Sequence, residues 1–388
     1  MKYLVLLTDG MSDHQLEELG GKTVMQYAKT PNLDYMAANG VGGFVKSTPD
    51  GYYPGSDICN LTMMGYDPTQ FYSGRSPLEA GSAGIELGTK DMSFRCNLVT
   101  LDGEIMEDNS AHHIDNETAG KAIDELNAIF NTEGVEFYKG LGFRNLMVLR
   151  DVDFNLETTP PHDIMGQDAS GYLPKGKGSE KLIDVMERAK AIFSDGKYGR
   201  ANGIWFWGEG TRPAMPLFKD LYGMDGAVVA AVDLIRGIGR FGGMNVLTVP
   251  GATGFIDTNF EGKAEYAVNA FKDADYVFLH VEAADEAGHM GSIEEKVKAV
   301  ENIDSRMCPI ILEGMKQYGD FRILVSPDHP TPVKLRTHVA EPVPAIIFGT
   351  GVNPDENQTY DEFMKPTFFI EEGYKIADFF LKSTVING

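Results

Sequence analysis

Tyr276-Val-Phe-Leu-His-Val-Glu-Ala-Ala-Asp-Glu-Ala-Gly-His289 begins as a strand and ends in ligand chemistry. Residues 276 to 281 form an apolar run rich in β-branched and aromatic side chains, the signature of a buried strand. Asp285, Glu286 and His289 follow among Ala284, Ala287 and Gly288, small residues that leave room for a ligand. A carboxylate and an imidazole four positions apart, just past the carboxyl end of a strand, suit a divalent metal. The same residues also suit a polar loop whose aspartate caps a following helix.

Two distant stretches repeat the pattern and tip the reading toward metal. Tyr3-Leu-Val-Leu-Leu7 runs into Thr8-Asp9-Gly10, and Phe321-Arg-Ile-Leu-Val-Ser-Pro runs into Asp328-His329. His338 follows after a loop, and Pro342 to Phe348 supplies one more strand. In an open α/β sheet, ligands bind outside the carboxyl ends of parallel strands. Three such strands, each delivering Asp or His there, predict an α/β fold with a central, mostly parallel sheet and one shared site. Asp9, Asp285, His289, Asp328, His329 and His338 exceed the needs of one tetrahedral ion, so the pattern predicts two metals.

At 388 residues, the chain has the length of two domains or of one large α/β unit with an insertion. A net charge of −23 argues against a nucleic-acid-binding face, which needs a basic patch. Metals invert the local field, so an anionic substrate remains compatible, and Arg75, Arg95, Arg144, Arg212 and Lys263 are available to it. Cys59, Cys96 and Cys308 have neither disulfide nor thiolate-metal spacing. No stretch approaches the roughly 20 apolar residues of a membrane span, and the first apolar run is too short for a secretion signal. The expectation is a soluble cytoplasmic protein with no membrane and no nucleic-acid partner; oligomeric state is left open.

Ser56 directly precedes Asp57 to Gly65, a stretch with helical apolar spacing. It reads either as an N-cap or as a nucleophile at a helix N-terminus, where the dipole and free N–H groups favour a phosphate. Between about residues 88 and 222 the order becomes helix–strand–strand–helix–strand, which predicts an α+β domain inserted into a discontinuous one made of 1–87 and 223–388. His112, His113, His162 and Asp163 lie in loops of that insert, and with Arg144 and Arg212 they outline a phosphate or carboxylate clamp. Beyond the insert, Val228 to Arg240 is expected as a helix. So is Ser292 to Tyr318, with Gly314 marking either a kink or a close helix approach.

Thr8-Asp9-Gly10, Gly55-Ser56, Ala284-Asp-Glu-Ala-Gly-His289, Asp328-His-Pro-Thr-Pro332 and Thr337-His338 resemble the archaeal-type cofactor-independent phosphoglycerate mutases of the alkaline phosphatase superfamily. The resemblance also takes in Arg95 to Thr100, Trp205 to Gly208 and Pro250 to Gly254, and so runs over nearly the whole chain. It implies an alkaline-phosphatase-like sandwich and interconversion of 3- and 2-phosphoglycerate through a phosphoserine at Ser56. It implies two Mn²⁺-like ions (Mg²⁺, Zn²⁺ or Co²⁺ being alternatives), one held by Asp9, Ser56, Asp328 and His329 and the other by Asp285, His289 and His338. Lys263 matches a lysine near the transferred phosphate. His113 and Arg144 match substrate-holding positions, and Arg75, Arg95, His162, Asp163 and Arg212 are further candidates. The chain departs from the family at Phe143-Arg144-Asn145, where Tyr-Arg-His is expected, and at His112-His113-Ile114, where Gly-His-Ile is expected. A related phosphotransferase acting on homoserine, or a metal-dependent phosphatase, is the alternative.

Overall fold

The computed structural model describes residues 1–388 and divides into two compact units, Met1–Tyr72 with Met215–Gly388, and Ser73–Ala214. The first unit is built on an eight-stranded sheet. In chain order its strands are β1 (Lys2–Thr8), β2 (Gly40–Val45), β3 (Gly226–Val229), β4 (Asn245–Leu247), β5 (Tyr276–Val281), β6 (Phe321–Ser326), β7 (Val343–Gly349) and β8 (Phe368–Ile370). Their order across the sheet is β4-β3-β5-β1-β6-β7-β2-β8, and every neighbouring pair is parallel except the two made by β7. Leu4, Val5, Leu6 and Leu7 are all buried, as a strand covered on both faces requires.

Register decides where the site forms. β1 lies between β5 and β6, with Thr8 opposite Val281 and Leu7 opposite Ser326. The three strands therefore end at the same level, and the residues that follow them are delivered to one place.

Two expected helices differ. Residues 226–229 form strand β3 and the helix begins only at Asp233. A short apolar run such as Ala227-Val-Val229 fits a buried strand and a buried helix turn equally well by pattern, and pairing with β4 and β5 settles it. The long helix from Ser292 is interrupted at Ile303–Met307 by a π-turn, just before Pro309, which has no N–H to continue the ladder. Gly314 is the close-approach glycine: a Cβ there would lie 2.6 Å from the Val268 side chain.

The second unit has a five-stranded antiparallel sheet of Met92–Asp102, Ile105–Asp108, Val135–Leu141, Arg144–Leu149 and Gly203–Thr211. Helices Asn116–Phe130 and Ser179–Ile192 bury Ala122, Ile123, Leu126, Leu182 and Val185 in its core. Its ends fall at Ser73 and Ala214, against the expected 88 and 222. Packing explains the shift at both ends. Ala80, Ile85 and Leu87 cluster with Val148, and the chain at Gly74 passes so close to Glu209 that a Cβ would sit 2.1 Å from its carbonyl oxygen. Phe218, at the other end, stacks on Tyr276 of β5 at 4.4 Å and so belongs to the first unit.

The π-turn has a measurable role. Its Asp304 carboxylate accepts from the Asn32 and Leu33 amides at 2.9 and 2.8 Å, capping helix Pro31–Ala38, whose own N-cap Thr30 makes no side-chain cap bond. Asp304→Ala should lower stability by about 1–3 kcal/mol in urea unfolding, because it leaves buried amides unpaired. An unchanged midpoint would show that the cap contributes nothing.

Candidate metal centre and nucleophile

Asp9, Asp328 and His329 leave the ends of β1 and β6 fully buried. His329 Nε2 lies 3.5 Å from Asp9 Oδ1 and 3.4 Å from Asp328 Oδ2. Asp285 and His289 sit one turn apart on helix Ala283–Met290, not in a loop, so they share a face. His289 Nε2 lies 3.3 Å from Asp285 Oδ2 and 2.8 Å from His338 Nε2, and His338 Nε2 lies 3.4 Å from Asp285 Oδ1. All six predicted ligands thus converge, and the His329 ring stacks on His338 at 3.8 Å.

The donors fit divalent metal ions. Within the cluster, Asp9, Asp328 and His329 bring ligand atoms within 4.8 Å of one another, as do Asp285, His329 and His338. Burial pushes the Asp9 carboxyl well up, and the neighbouring Asp328, Asp285 and Glu282 push it further. Asp9 Oδ1 is buried without a hydrogen-bond partner. Like-charged carboxylates held together out of water favour a cation. His289 Nδ1 faces the Arg336 carbonyl at 3.0 Å, and donating there leaves the Nε2 lone pair directed at His338 Nε2. Two ring nitrogens 2.8 Å apart need a proton or a metal between them. Without a metal, the bond to Asp285 raises His289 to about 9. Imidazole and carboxylate donors with no thiolate suit Mn²⁺, Zn²⁺, Co²⁺ or Mg²⁺.

Ser56 is the first residue of helix Ser56–Met63, and Gly55 occupies the N-cap. The capping role is thereby excluded and the hydroxyl is left for other work. Its Oγ lies 3.3 Å from His329 Nε2. Lys263, fully buried on helix Phe260–Ala270, donates to the Thr253 carbonyl at 3.2 Å. Burial pulls its ammonium down to about 8, while Glu282 and Asp9 act to keep it charged.

Sequence reasoning overlooked three residues here. His280 Nε2 lies 2.8 Å from Asp9 Oδ2, and burial lowers this imidazole to about 3. An imidazole inside an otherwise apolar strand was the available signal. Asn60 Nδ2 donates to the Ser56 carbonyl at 2.9 Å and to Asp328 Oδ2 at 2.8 Å, tying the serine helix to β6. Thr331 donates its hydroxyl to Asp285 and lies 3.2 Å from His329 Nδ1.

In the second unit, Arg75 and Arg95 share Glu79 at 3.1 and 3.0 Å, and Arg95 lies over the Trp207 ring at 4.1 Å. Burial pulls Arg95 down to about 10; Glu79 opposes this, while Arg75 and Arg144 add to it. His162 meets Trp207 edge-on at 5.2 Å and lies 3.7 Å from Asp163. His113 and Arg144 both contact Phe143. Arg212 reaches the Leu87 carbonyl at 3.5 Å. Ala111, His112 and His113 all have positive φ (49°, 55° and 57°), a strained run for side-chain-bearing residues. The Asp108 carboxylate holds it by accepting from the Ser110 and His112 amides. His112 engages Arg200 at 3.2 Å. Asn145 is buried, accepting from the Gly140 amide and donating to the Gly142 carbonyl, so it braces the hairpin.

A family model described as 2,3-bisphosphoglycerate-independent phosphoglycerate mutase matches residues 37–198. A relative from Geobacter sulfurreducens, named a probable 2,3-bisphosphoglycerate-independent phosphoglycerate mutase, is 45% identical over 98% of this chain and 100% of its own length. The 2,3-bisphosphoglycerate-independent phosphoglycerate mutase of Methanosarcina acetivorans is 46% identical over 93% of this chain and 94% of its own. Among solved structures, a Pyrococcus horikoshii protein superposes with a TM-score of 0.83 at 29% identity, covering 98% of this chain and 96% of that one. With identity at this level along nearly its whole length, the chain belongs to the 2,3-bisphosphoglycerate-independent phosphoglycerate mutase family.

Proposed function

We propose that this protein interconverts 3-phosphoglycerate and 2-phosphoglycerate, without bisphosphoglycerate, through a phosphoserine at Ser56. The observation that carries the reading is the Ser56 hydroxyl, free of any capping role at a helix start and 3.3 Å from His329 Nε2 in the carboxylate–imidazole cluster. Asp9, Ser56, Asp328 and His329 would hold one divalent ion, and Asp285, His289 and His338 a second, with Mn²⁺ the first choice. When bound, such ions supply charge neutralisation at the phosphoryl oxygens and make a serine hydroxyl easier to deprotonate.

The chain's own groups account for the rest. Ser56 Oγ attacks phosphorus and the bond to the 3-oxygen breaks, leaving glycerate and phosphoserine; the 2-hydroxyl then takes the phosphoryl group back and Ser56 is restored. The start of helix Ser56–Met63 would favour the incoming phosphate, as the positive end of a helix does. Lys263 offers a positive charge to the same group. Arg75, Arg95, Arg144, Arg212, His113, His162 and Asp163 are assigned to holding the substrate, since guanidinium and imidazole donors match a carboxylate and hydroxyls. The partner is thus a small phosphorylated metabolite. The homoserine-directed and phosphatase readings are not favoured, because the relatives are named mutases. No helix is long and apolar enough to cross a membrane. The three cysteines are free and buried, which suits a reducing compartment and supports a cytoplasmic location.

Phosphorus NMR on Mn²⁺-loaded protein given 3-phosphoglycerate alone should show 2-phosphoglycerate appearing, and EDTA should abolish it. Free phosphate as the sole product would identify a phosphatase instead. Ser56→Ala should reduce turnover on the order of 10³-fold or more while metal binding persists, since removing a covalent nucleophile disables the whole route. Full turnover in that variant would remove Ser56 from the mechanism.

A further inference from the structure

Helix Ile293–Asn302 carries a lysine on its buried stripe. Ile293, Lys296, Val297 and Val300 are spaced i, i+3, i+4 and i+7, and Lys296 is completely buried where an apolar side chain is expected. Its Nζ donates to the Ser12 carbonyl at 3.0 Å, to Asp13 Oδ2 at 2.9 Å and to the Thr331 carbonyl at 2.8 Å. Asp13 is equally buried, and its carboxylate also accepts from the Val333 amide at 3.2 Å.

Those acceptors belong to the two loops that carry the candidate ligands. Ser12 and Asp13 follow Asp9 after β1, while Thr331 and Val333 follow Asp328 and His329 after β6. Thr331 then reaches both ligand groups, through its hydroxyl to Asp285 and beside His329 Nδ1. Its amide donates to the Ser12 carbonyl at 3.3 Å, closing the circuit between the loops. A buried ion pair is a poor source of stability, because well-packed apolar residues usually serve as well or better. What the pair supplies here is fixed spacing between chain segments that packing alone would leave adjustable.

We propose that Lys296, with Asp13, is a positioning pair that holds the loop after β1 at a set distance from the loop after β6, and so sets the spacing of the metal ligands. The proposal rests on the metal reading of the Asp9, Asp285, Asp328 and histidine cluster. Lys296 touches none of the ligand side chains and acts through Ser12, Asp13 and Thr331. Outer residues that orient ligands typically govern metal affinity by 10–100-fold when lost.

Equilibrium dialysis of the full-length protein against Mn²⁺, with metal quantified per chain, separates this from a merely structural lysine. Lys296→Met keeps the apolar stem and removes the ammonium. It should weaken Mn²⁺ binding by about 10-fold or more, and lower kcat with KM for 3-phosphoglycerate changed less than about 2-fold, since uniform substrate binding is untouched. The thermal midpoint measured in EDTA should fall as well, because Asp13 is left buried without its cation, so the Mn²⁺ affinity is the deciding readout. A lowered midpoint with wild-type Mn²⁺ affinity would overturn the proposal and leave Lys296 as a packing residue. If Lys296→Met does not fold, Asp13→Asn decides, because it keeps the side chain's shape while removing its charge and one acceptor oxygen. Weakened Mn²⁺ binding there supports the positioning role, and wild-type binding overturns it. Wild-type protein that binds no Mn²⁺ would instead overturn the metal reading, and the proposal with it.

Discussion

The concentration of buried carboxylates at the ends of three adjacent strands is the constraint on which the first unit depends. Asp9, Asp285 and Asp328 are buried close together, and burial with the neighbouring carboxylates pushes the Asp9 carboxyl well up. Such a cluster persists only if the surrounding chain over-determines it and a cation can be shared. The means are visible. β5, β1 and β6 pair in parallel register and end together, His280 fixes one oxygen of Asp9, and Asn60 and the Gly10 amide fix Asp328. Gly10 has φ +61°, and a Cβ there would lie 2.5 Å from Asp285 Oδ1, so the close approach of the first two carboxylates requires glycine.

The same economy shapes the surroundings of Ser56. A serine at the N-cap would spend its hydroxyl on the helix's own amides. With Gly55 at that position, Ser56 moves one residue inward, and its backbone joins the helix while its oxygen faces His329. Asn60, one turn later, bonds both the Ser56 carbonyl and Asp328, so the serine cannot shift along the helix axis without disturbing a ligand. Ser56 and the carboxylate–imidazole cluster are therefore one mechanical object.

The parts of this arrangement that were legible in the sequence are those with a local signature. Asp9, Asp285, Asp328 and His329 stand out because they come just past short apolar runs, with His289 one helical turn beyond Asp285 and His338 a loop beyond His329, and parallel strands deliver their ends to a common edge. What stayed hidden depends on pairing partners far away in the chain. Ala227-Val-Val229 is too short for periodicity to separate strand from helix, and only β4 and β5 make it a strand. Asp304 reads as one more polar residue in a helix until it is seen capping a helix some 270 residues earlier. Lys296 did carry a signal, a charge on an apolar stripe. Its meaning comes from two carbonyls and a carboxylate that no sequence spacing connects to it. The domain ends differ for a similar reason: nothing local in the sequence around Gly74 shows that the Glu209 backbone, far along the chain, packs so close that only glycine fits.

The second unit poses a different physical problem, since its candidate groups are set by side-chain packing, not by strand ends. Arg95 is paired across the sheet with Trp207, which lies beneath its guanidinium, and Glu79 draws Arg75 to the same place. His113 is held out by three consecutive left-handed residues, a conformation costly enough that Asp108 must bind it down. Asn145 does the equivalent service for the Arg144 hairpin, accepting from Gly140 and donating to Gly142. A histidine at that position would present a ring with a different donor and acceptor geometry, and the bulge between Tyr138 and Leu141 would need another brace. A histidine there would therefore change how Arg144 is supported without changing the groups that Arg144 itself can offer.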